Sequence, residues 1–156
     1  MGVSGVGIST ISKLLAERMA WKFIEGDDFH SDSNRQKMSA GISLNDQDRL
    51  EWLYKLASIF NSCSSTTVVS CSALKRKYRE ILSAHSNQTT FIHLVDPFKV
   101  LERRLNARKK HFFNSVLLLD QIKLRELLSL NEQGFKINFD QNSNLIVAEI
   151  ISRLDD

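Results

Sequence analysis

Hydrophobic and polar positions along the chain alternate between helical spacing and short extended runs. Four extended runs are rich in β-branched and aromatic residues, at 23–24, 67–71, 91–95 and 135–139. Helical spacing is found in the intervening segments, at about 11–19, 31–38, 46–60, 74–82, 97–108, 116–128 and 146–154. Strands that alternate with helices are typical of an α/β domain with a largely parallel sheet.

Local signals refine the ends of these helices. Asn45 or Asp46 is placed to cap the long third helix, because short polar side chains accept hydrogen bonds from first-turn N–H groups. Gly41 ends the helix before it. Pro97 follows Asp96, which is the arrangement of a cap with proline at the first helical position. This pair predicts a helix that runs to Arg108.

The first ten residues contain a glycine loop that leads into the first helix. Gly2 and Gly7 have the spacing of the two fixed glycines of a P-loop, G-x-x-x-x-G-K-[ST], and Ser9 occupies its hydroxyl position. Backbone N–H groups of such a loop and the following helix N-terminus bind phosphate. The pattern predicts that the phosphates of ATP contact the loop residues: Gly2, Val3, Ser4, Gly5, Val6, Gly7, Ile8, Ser9 and Thr10.

Ile8 stands where the P-loop pattern has lysine. Lysine brings a mobile positive charge to the β- and γ-phosphates and supports phosphoryl transfer as well as binding. We therefore expect the loop to hold phosphate and to transfer it poorly. A buried strand normally precedes a P-loop, yet only Met1 precedes Gly2 here. Either the reading frame begins at a methionine that was internal, or the product is truncated.

Length and composition set the broad class. The 156 residues, 42% of them hydrophobic, suit a single domain, 1–156, with a substantial core. The net charge of +3 is small and the basic residues are dispersed, which disfavours nucleic-acid binding. No apolar run approaches the roughly 18 residues of a membrane span. We expect a cytoplasmic protein in which Cys63 and Cys71 are reduced thiols.

Five ordered motifs resemble those of the gluconate kinase family of small P-loop kinases. They are 2–5 (Gly-Val-Ser-Gly), 26–30 (Gly-Asp-Asp-Phe-His) with Asn34, Lys37 and Met38, 41–49 with Trp52, 71–75 with Tyr78 and Arg79, and Arg104 and Arg108 with His111-Phe112. The resemblance implies a P-loop nucleoside-triphosphate-hydrolase fold of the nucleotide-kinase type with its first strand missing. It also implies ATP- and Mg²⁺-dependent phosphorylation of D-gluconate, a lid at about 104–120, and leaves a homodimer open.

Several residues of these motifs have side chains whose chemistry suits a substrate site. Asp27 follows a strand at the carboxyl edge of the predicted sheet, where a carboxylate orients or deprotonates a substrate hydroxyl. Asp28 and His30 are candidates to hydrogen-bond a polyol. Arg49 is a candidate clamp for the substrate carboxylate, because a guanidinium meets a carboxylate through two parallel hydrogen bonds. The alternatives are a turn cap for Asp27 and an ion pair within its own helix for Arg49.

Basic residues later in the chain are the remaining candidates. Lys75 and Arg79, one helical turn apart, either face one phosphate or carboxylate of a ligand or form an exposed basic surface. Arg104 and Arg108 are also one helical turn apart. The resemblance implies that they belong to a lid that neutralises charge on a transferring phosphoryl group, with His111 as a substrate contact, and the alternative is a solvated basic face. Ser9 either ligates Mg²⁺ or caps its helix.

Three functions remain open from the sequence. The first is a gluconate kinase with full or weak activity, favoured by the substrate-side motifs. The second is a non-catalytic relative that binds gluconate or nucleotide or pairs with an active subunit, favoured by Ile8 and the absent first strand. The third is a P-loop kinase of shikimate or adenylylsulfate type, which the motifs at 44–49 and 71–75 disfavour.

Overall fold

A computed structural model describes residues 1–84, 88–95 and 115–155. Its strands are β1 (Lys22–Glu25), β2 (Thr67–Ser70), β3 (Phe91–Val95) and β4 (Gly134–Asn138). Its helices are α1 (Ile8–Met19), α2 (Asp32–Ser39), α3 (Asp46–Ser62), α4 (Arg76–Ser83), α5 (Ser115–Leu124) and α6 (Ser143–Asp155), with a 3₁₀ turn at Gly26–Phe29. The predicted helix at 97–108 lies outside the described residues.

The four strands form two parallel pairs. β1 pairs with β2 in a register that places Lys22 opposite Thr67, and β3 pairs with β4 with Phe91 opposite Gly134. Within the described residues these pairs are separate two-stranded sheets. The parallel α/β arrangement predicted from the alternation of strands and helices is confirmed.

Two clusters of buried side chains lie on the two sides of the strands. The first joins the glycine loop, α1, α5 and α6 and includes Val3, Leu15, Leu118 and Ile150. The second joins α3, α4 and β3, with Trp52 and Phe91 among its members. Burial of apolar surface of this kind contributes most of the stability of a fold.

The helix ends follow the predicted capping. The Asn45 side chain accepts from the N–H of Asp48, and the Asp48 carboxylate accepts from the N–H of Asn45, which is a reciprocal capping box. Asn45 is therefore the cap, and Asp46 is the first helical residue. Ser31 caps α2 through the N–H of Asn34. The Ser31 cap fixes where the chain enters α2, and the Asn45 cap fixes where it enters α3.

Helix α5 ends four residues earlier than the predicted 116–128. Beyond Leu124 the chain turns so that the N–H of Glu126 donates to the carbonyl of Leu74 at 2.8 Å. This hydrogen bond ties the segment after α5 to the loop between β2 and α4. The apolar residues Leu127 and Leu128 continued the helical spacing in the sequence, yet only Leu128 is buried.

Candidate active site

The glycine loop presents free backbone donors at the start of α1. Gly7 precedes the helix in the left-handed conformation, with φ 85° and ψ 26°, and no side chain caps the helix there. The first N–H groups of a helix have no partner within it. The amides at Ile8, Ser9 and Thr10 are consequently available to an anion at the positive end of the helix.

Side chains of the loop anchor it to the core. Val3 and Val6 are 0% and 2% exposed, so they turn inward while the backbone between them faces the cleft. A Cβ added to Gly2 would lie 2.9 Å from the carbonyl oxygen of Leu94, which leaves room only for glycine. The N–H of Ser4 donates to Gln121 Oε1 at 2.7 Å. One loop amide is thus already bound by a side chain of α5.

Ile8 is partly buried at the first position of α1. Its side chain packs against the core cluster that contains Val3 and Val6, and it also lines the cleft. A branched hydrocarbon at this position offers no donor to a phosphate oxygen. The loop geometry therefore retains its backbone donors but lacks a charged side chain at position 8.

An open cleft lies beside the loop, where the carboxyl ends of β1 and β2 meet α3 and α5. Polar side chains that line it come from several segments of the chain: Ser4, Ser9, Glu25, Asp27, His30, Ser43, Arg49, Ser70, Ser72, Asp120 and Gln121. Ligands of open α/β sheets bind at this edge. The cleft brings Asp27, His30 and Arg49 together with the glycine loop.

Asp27 lies in the 3₁₀ turn that directly follows β1. Its side chain is 74% exposed, and one carboxylate oxygen lies 3.9 Å from His30 Nε2. The surrounding protein raises the pKa of Asp27, first through loss of solvation and then through the Glu25 carboxylate, whereas the Arg49 guanidinium opposes the rise. Water in the open cleft limits this effect, because an exposed charge is well screened.

His30 is buried and held in one tautomer. Asn34 Nδ2 donates to the carbonyl oxygen of Asp48 at 2.7 Å, which identifies that atom as the amide nitrogen. The same nitrogen lies 3.4 Å from His30 Nδ1, so Nδ1 acts as acceptor and the ring proton is on Nε2. Burial, reinforced by Arg49 and Arg35, lowers the pKa of His30 to about 4. At neutral pH, His30 is an uncharged donor beside Asp27.

Trp52 fixes the position of the His30 ring. The two rings stack with centroids 4.5 Å apart and planes inclined by 14°. Trp52 Nε1 donates to the carbonyl of Gly26 at 2.7 Å. Gly26 itself must be glycine, since a Cβ there would lie 2.3 Å from the carbonyl oxygen of Ser70. These contacts join α3 to the turn that carries Asp27.

Arg49 extends from the first turns of α3 into the cleft. The residue is 6% exposed, and its Nε has no hydrogen-bond partner among the described residues. Its guanidinium lies over the ring of Tyr78, 5.9 Å from the centroid. Burial lowers the pKa of Arg49, opposed by Tyr78 and nearby carboxylates, but an arginine stays protonated at neutral pH. A buried cation with a free donor is suited to an anionic ligand.

Asp46, one turn before Arg49, gathers three donors. Its carboxylate accepts from Lys75 Nζ at 2.7 Å, from Lys77 Nζ at 2.5 Å and from the Tyr78 hydroxyl. These hydrogen bonds hold the pKa of Asp46 well below its usual range. Burial and the same carboxylate raise the pKa of Tyr78. The cluster ties α3 to α4 and places the Tyr78 ring under Arg49.

Comparison with known proteins identifies the family of this chain. Residues 4–154 match the family model described as shikimate kinase. A gluconokinase of Arabidopsis thaliana is 38% identical over 167 residues, which cover 97% of this chain and 88% of the relative. The chain belongs to the gluconokinase family of P-loop kinases. It is thereby a phosphotransferase.

Solved structures of the family superpose closely. A sugar kinase from Janibacter sp. has a TM-score of 0.94 at 35% identity, covering 99% of this chain and 91% of the neighbour. A gluconokinase from Sinorhizobium meliloti has a TM-score of 0.91 at 37% identity, covering 99% and 89%. The P-loop kinase fold and the resemblance to gluconokinases, both predicted from the sequence, are confirmed.

Arg79, predicted as a substrate-binding residue, does not line the cleft of this gluconokinase-family member. It is 1% exposed, and its guanidinium donates to the Glu132 carboxylate and to the carbonyls of Ala73, Leu74 and Glu126. All of these acceptors belong to the loops that follow β2 and α5. Through these hydrogen bonds Arg79 joins the two loops.

Further predicted site residues do not line the cleft: Val3, Gly5, Val6, Gly7, Thr10, Asp28 and Lys75. Lys75 pairs with Asp46 and is displaced toward α3. Asp28 is exposed, and its backbone carbonyl accepts from Arg35 at 2.6 Å. Thr10 is exposed on α1, although its amide belongs to the first turn. Arg104, Arg108 and His111 lie outside the described residues.

Several cleft residues carried no recognisable signal in the sequence. Glu25 ends β1 and accepts from the Ser70 hydroxyl. Asp120 accepts from the Ser43 hydroxyl at 2.5 Å, and Gln121 binds the glycine loop. The extended run predicted at 23–24 stops before Glu25, so the sequence did not show Glu25 at the end of β1. Asp120 and Gln121 lie in a segment with helical spacing. That spacing does not show which face of the helix contacts the glycine loop.

Proposed function

We propose that this chain transfers the γ-phosphoryl group of ATP to D-gluconate, giving 6-phospho-D-gluconate, at a strongly reduced rate. The observation that supports the substrate is Arg49, a buried cation whose Nε has no partner among the described residues, in a cleft shared with Asp27 and His30. A linear sugar acid offers one carboxylate and several hydroxyl groups. The relatives at 34–38% identity are named as gluconokinases.

Arg49 is proposed to bind the carboxylate of gluconate. Hydrogen bonds between charged partners contribute about 1.5–3 kcal/mol each. The Tyr78 ring below the guanidinium and the Asp46 cluster beside it restrict the orientation of Arg49. His30 donates from Nε2 to a substrate hydroxyl, since Asn34 occupies Nδ1.

Asp27 is proposed as the residue that accepts the proton of the reacting hydroxyl. It lies at the carboxyl end of β1, with its side chain open to the cleft. A pKa raised above the usual aspartate value brings the carboxylate closer to the range that favours proton acceptance. Arg104 and Arg108 are proposed to neutralise charge on the transferring group from the lid.

The glycine loop and the first turn of α1 are proposed to bind the ATP phosphates through backbone N–H groups. Ser9 lines the cleft and is the candidate to hold Mg²⁺, which uses few protein ligands and keeps several waters. Among the described residues, no three His, Cys, Asp or Glu side chains form a metal cluster. A hydroxyl with phosphate oxygens and waters is a donor set that suits this ion.

Ile8 is the reason for the reduced rate. It packs against the core and supplies no charge to the β- and γ-phosphates. The Ser4 amide, which an anion also requires, is bound to Gln121. These two observations favour a second candidate, a non-catalytic protein that binds gluconate without phosphorylating it.

The decisive experiment measures product and binding separately. Purified protein is incubated with ATP, Mg²⁺ and gluconate, with shikimate and adenylylsulfate as competing substrates, and phosphorylated product is quantified by mass spectrometry. Slow formation of 6-phosphogluconate alone supports the first candidate. Calorimetric gluconate binding without product supports the second, and neither binding nor product with gluconate contradicts both.

A single domain, a homodimer and a cytoplasmic location are proposed on the sequence alone. None of the helices within the described residues is long and apolar enough to cross a membrane. Light scattering of the purified protein tests the homodimer. Imaging of a tagged chain in cells tests the location.

A further inference from the structure

Gln121 is the residue of α5 that contacts the glycine loop. Its side chain lines the cleft, and its Oε1 accepts from the N–H of Ser4 at 2.7 Å. A backbone N–H can only donate, so the atom bonded to it is the oxygen of the side-chain amide and not the nitrogen. The loop therefore fixes which way the Gln121 amide is turned.

The amide nitrogen of Gln121 remains a donor. Nε2 carries two hydrogens, and within the described part of the chain it makes no hydrogen bond. Because the side chain lines an open cleft, these hydrogens are available to a ligand bound there. Gln121 thus takes up one N–H of the glycine loop and offers two N–H groups of its own.

Asp120, the neighbour of Gln121, contacts the other side of the cleft. Its Oδ2 accepts from the Ser43 hydroxyl at 2.5 Å. Ser43 belongs to the segment between α2 and α3, and α3 carries Arg49. Two consecutive residues of α5 are therefore bonded to the two sides, Gln121 to the proposed phosphate loop and Asp120 to the segment that leads to the proposed gluconate clamp. Gln121 lies where these two sides meet.

The charged side chains of the cleft leave a need for such a donor. Among the described residues that line it, Glu25, Asp27 and Asp120 are acidic, and Arg49 is the only lysine or arginine. The carboxylates repel a phosphoryl group, and Ile8 offers it no hydrogen bond. A preorganised neutral donor stabilises charge that develops in a cleft of this kind. Gln121 Nε2 is a donor of this type beside the glycine loop.

We propose that Gln121 Nε2 donates a hydrogen bond to an oxygen of the γ-phosphoryl group of ATP and replaces in part the lysine that is absent at position 8. This inference rests on the proposed function and names a further residue that holds the transferred group. The bond to Ser4 keeps the Gln121 amide in the orientation that presents Nε2 to the cleft. The replacement is only partial, because an amide carries no positive charge.

The test compares two nucleotides in the absence of gluconate. Calorimetry with Mg²⁺ measures the affinity for AMP-PNP, an ATP analogue whose γ-phosphoryl group is not transferred, and for ADP, which lacks that group. Gln121→Glu keeps an acceptor for the Ser4 N–H and removes the donor, whereas Gln121→Met removes both without adding charge. The control is Gln36→Glu, the same change at an exposed residue of α2 that does not line the cleft.

The parent chain and the control should bind AMP-PNP at least about tenfold more tightly than ADP, which is the affinity that a hydrogen bond to a charged group contributes. Both Gln121 variants should lose most of this preference. The affinity of Gln121→Glu for ADP should stay within about twofold of the parent, because the anchor to Ser4 is kept. An unchanged ratio of the two affinities in either variant would overturn the proposal, since Gln121 would then only anchor the loop. A parent chain that binds neither nucleotide, or both equally, would overturn it as well.

Incubation of the same proteins with ATP, Mg²⁺ and gluconate separates this proposal from the proposed function. Formation of 6-phosphogluconate by the parent, together with an unchanged affinity ratio in the variants, overturns the role of Gln121 alone. A preference for AMP-PNP that depends on Gln121, without any 6-phosphogluconate, contradicts the kinase activity and supports the contact between Gln121 and the γ-phosphoryl group.

Discussion

The imidazole of His30 stacks on the indole of Trp52, with ring centroids 4.5 Å apart. Trp52 is in turn bonded to the backbone of Gly26, the residue before Asp27. The ring of His30 therefore has one orientation, and its Nε2 lies 3.9 Å from the Asp27 carboxylate. A protonated His30 in this environment loses solvation and faces the positive charge of Arg49.

We predict that acid weakens the fold through its buried histidines. The pKa of His30 is lowered from 6.5 to about 4, and that of His93 to about 3, by burial first. Between these values and 6.5 the unfolded chain binds more protons, so the free energy of unfolding falls as pH falls through this window. Near pH 5 each histidine accounts for a loss of about 2 kcal/mol relative to neutral pH.

Urea unfolding at a series of pH values measures this effect. The His30→Gln variant should show about half the loss of unfolding free energy between neutral pH and about pH 5, because one of the two groups no longer titrates. An unchanged slope in that variant would mean that His30 titrates normally in the folded protein. Circular dichroism at neutral pH verifies that the variant is folded before its slope is compared.

We predict that Arg49→Met weakens gluconate binding by about 1.5–3 kcal/mol, the range for a hydrogen bond to a charged group. The matched control is Arg76→Met, which removes an exposed arginine paired with Glu80. Arg49→Lys should recover only part of the affinity, since a lysine cannot make two parallel hydrogen bonds. Calorimetry with gluconate makes the comparison, and equal affinity in Arg49→Met and the control would remove Arg49 from the site.

We predict that Glu132→Gln destabilises the protein without changing gluconate affinity. Arg79 is 1% exposed, and it holds the pKa of Glu132 near about 2. Removing one partner of a buried ion pair costs about 3–5 kcal/mol, because the other charge stays buried. Urea unfolding measures the loss of stability, and calorimetry measures the affinity for gluconate. A loss of gluconate affinity in a folded variant would return Arg79 to the substrate site.

The order of strands and helices and the P-loop were predictable, since each depends on local spacing. Alternating extended and helical runs fixed the element order, and Gly2, Gly7 and Ser9 have a spacing tied to one backbone shape. Asn45 was recognised as a cap for the same reason. These features depend on residues close together in the chain.

The site was only partly predictable because it depends on which face of a helix meets which loop. Lys75 and Arg79 are one turn apart, yet Lys75 pairs with Asp46 and Arg79 with Glu132, far apart in sequence. The sequence of α4 alone does not show that these two basic residues have different partners. Gln121 contacts the Ser4 amide across 117 positions, and such a contact exists only once α5 is docked against the loop.

The last prediction concerns Ile8. Lysine at this position follows the developing charge on the transferred phosphoryl group, whereas isoleucine contributes only packing against the core cluster that contains Val3 and Val6. Loss of one preorganised donor lowers turnover by about 10²–10³. Ile8→Lys should therefore raise the turnover of gluconate phosphorylation by at least about a hundredfold, with a smaller effect on ATP affinity, since the backbone donors of the loop are unchanged.

Steady-state turnover at saturating ATP, Mg²⁺ and gluconate measures this change. Ile8→Met is the matched control, because it keeps an apolar side chain of similar volume without adding charge. Urea unfolding of both variants and the parent chain separates a difference in folding from a difference in chemistry. If the parent turns over within a few-fold of Ile8→Lys, another cation already serves the transferring group, and Ile8 is not the cause of slow transfer.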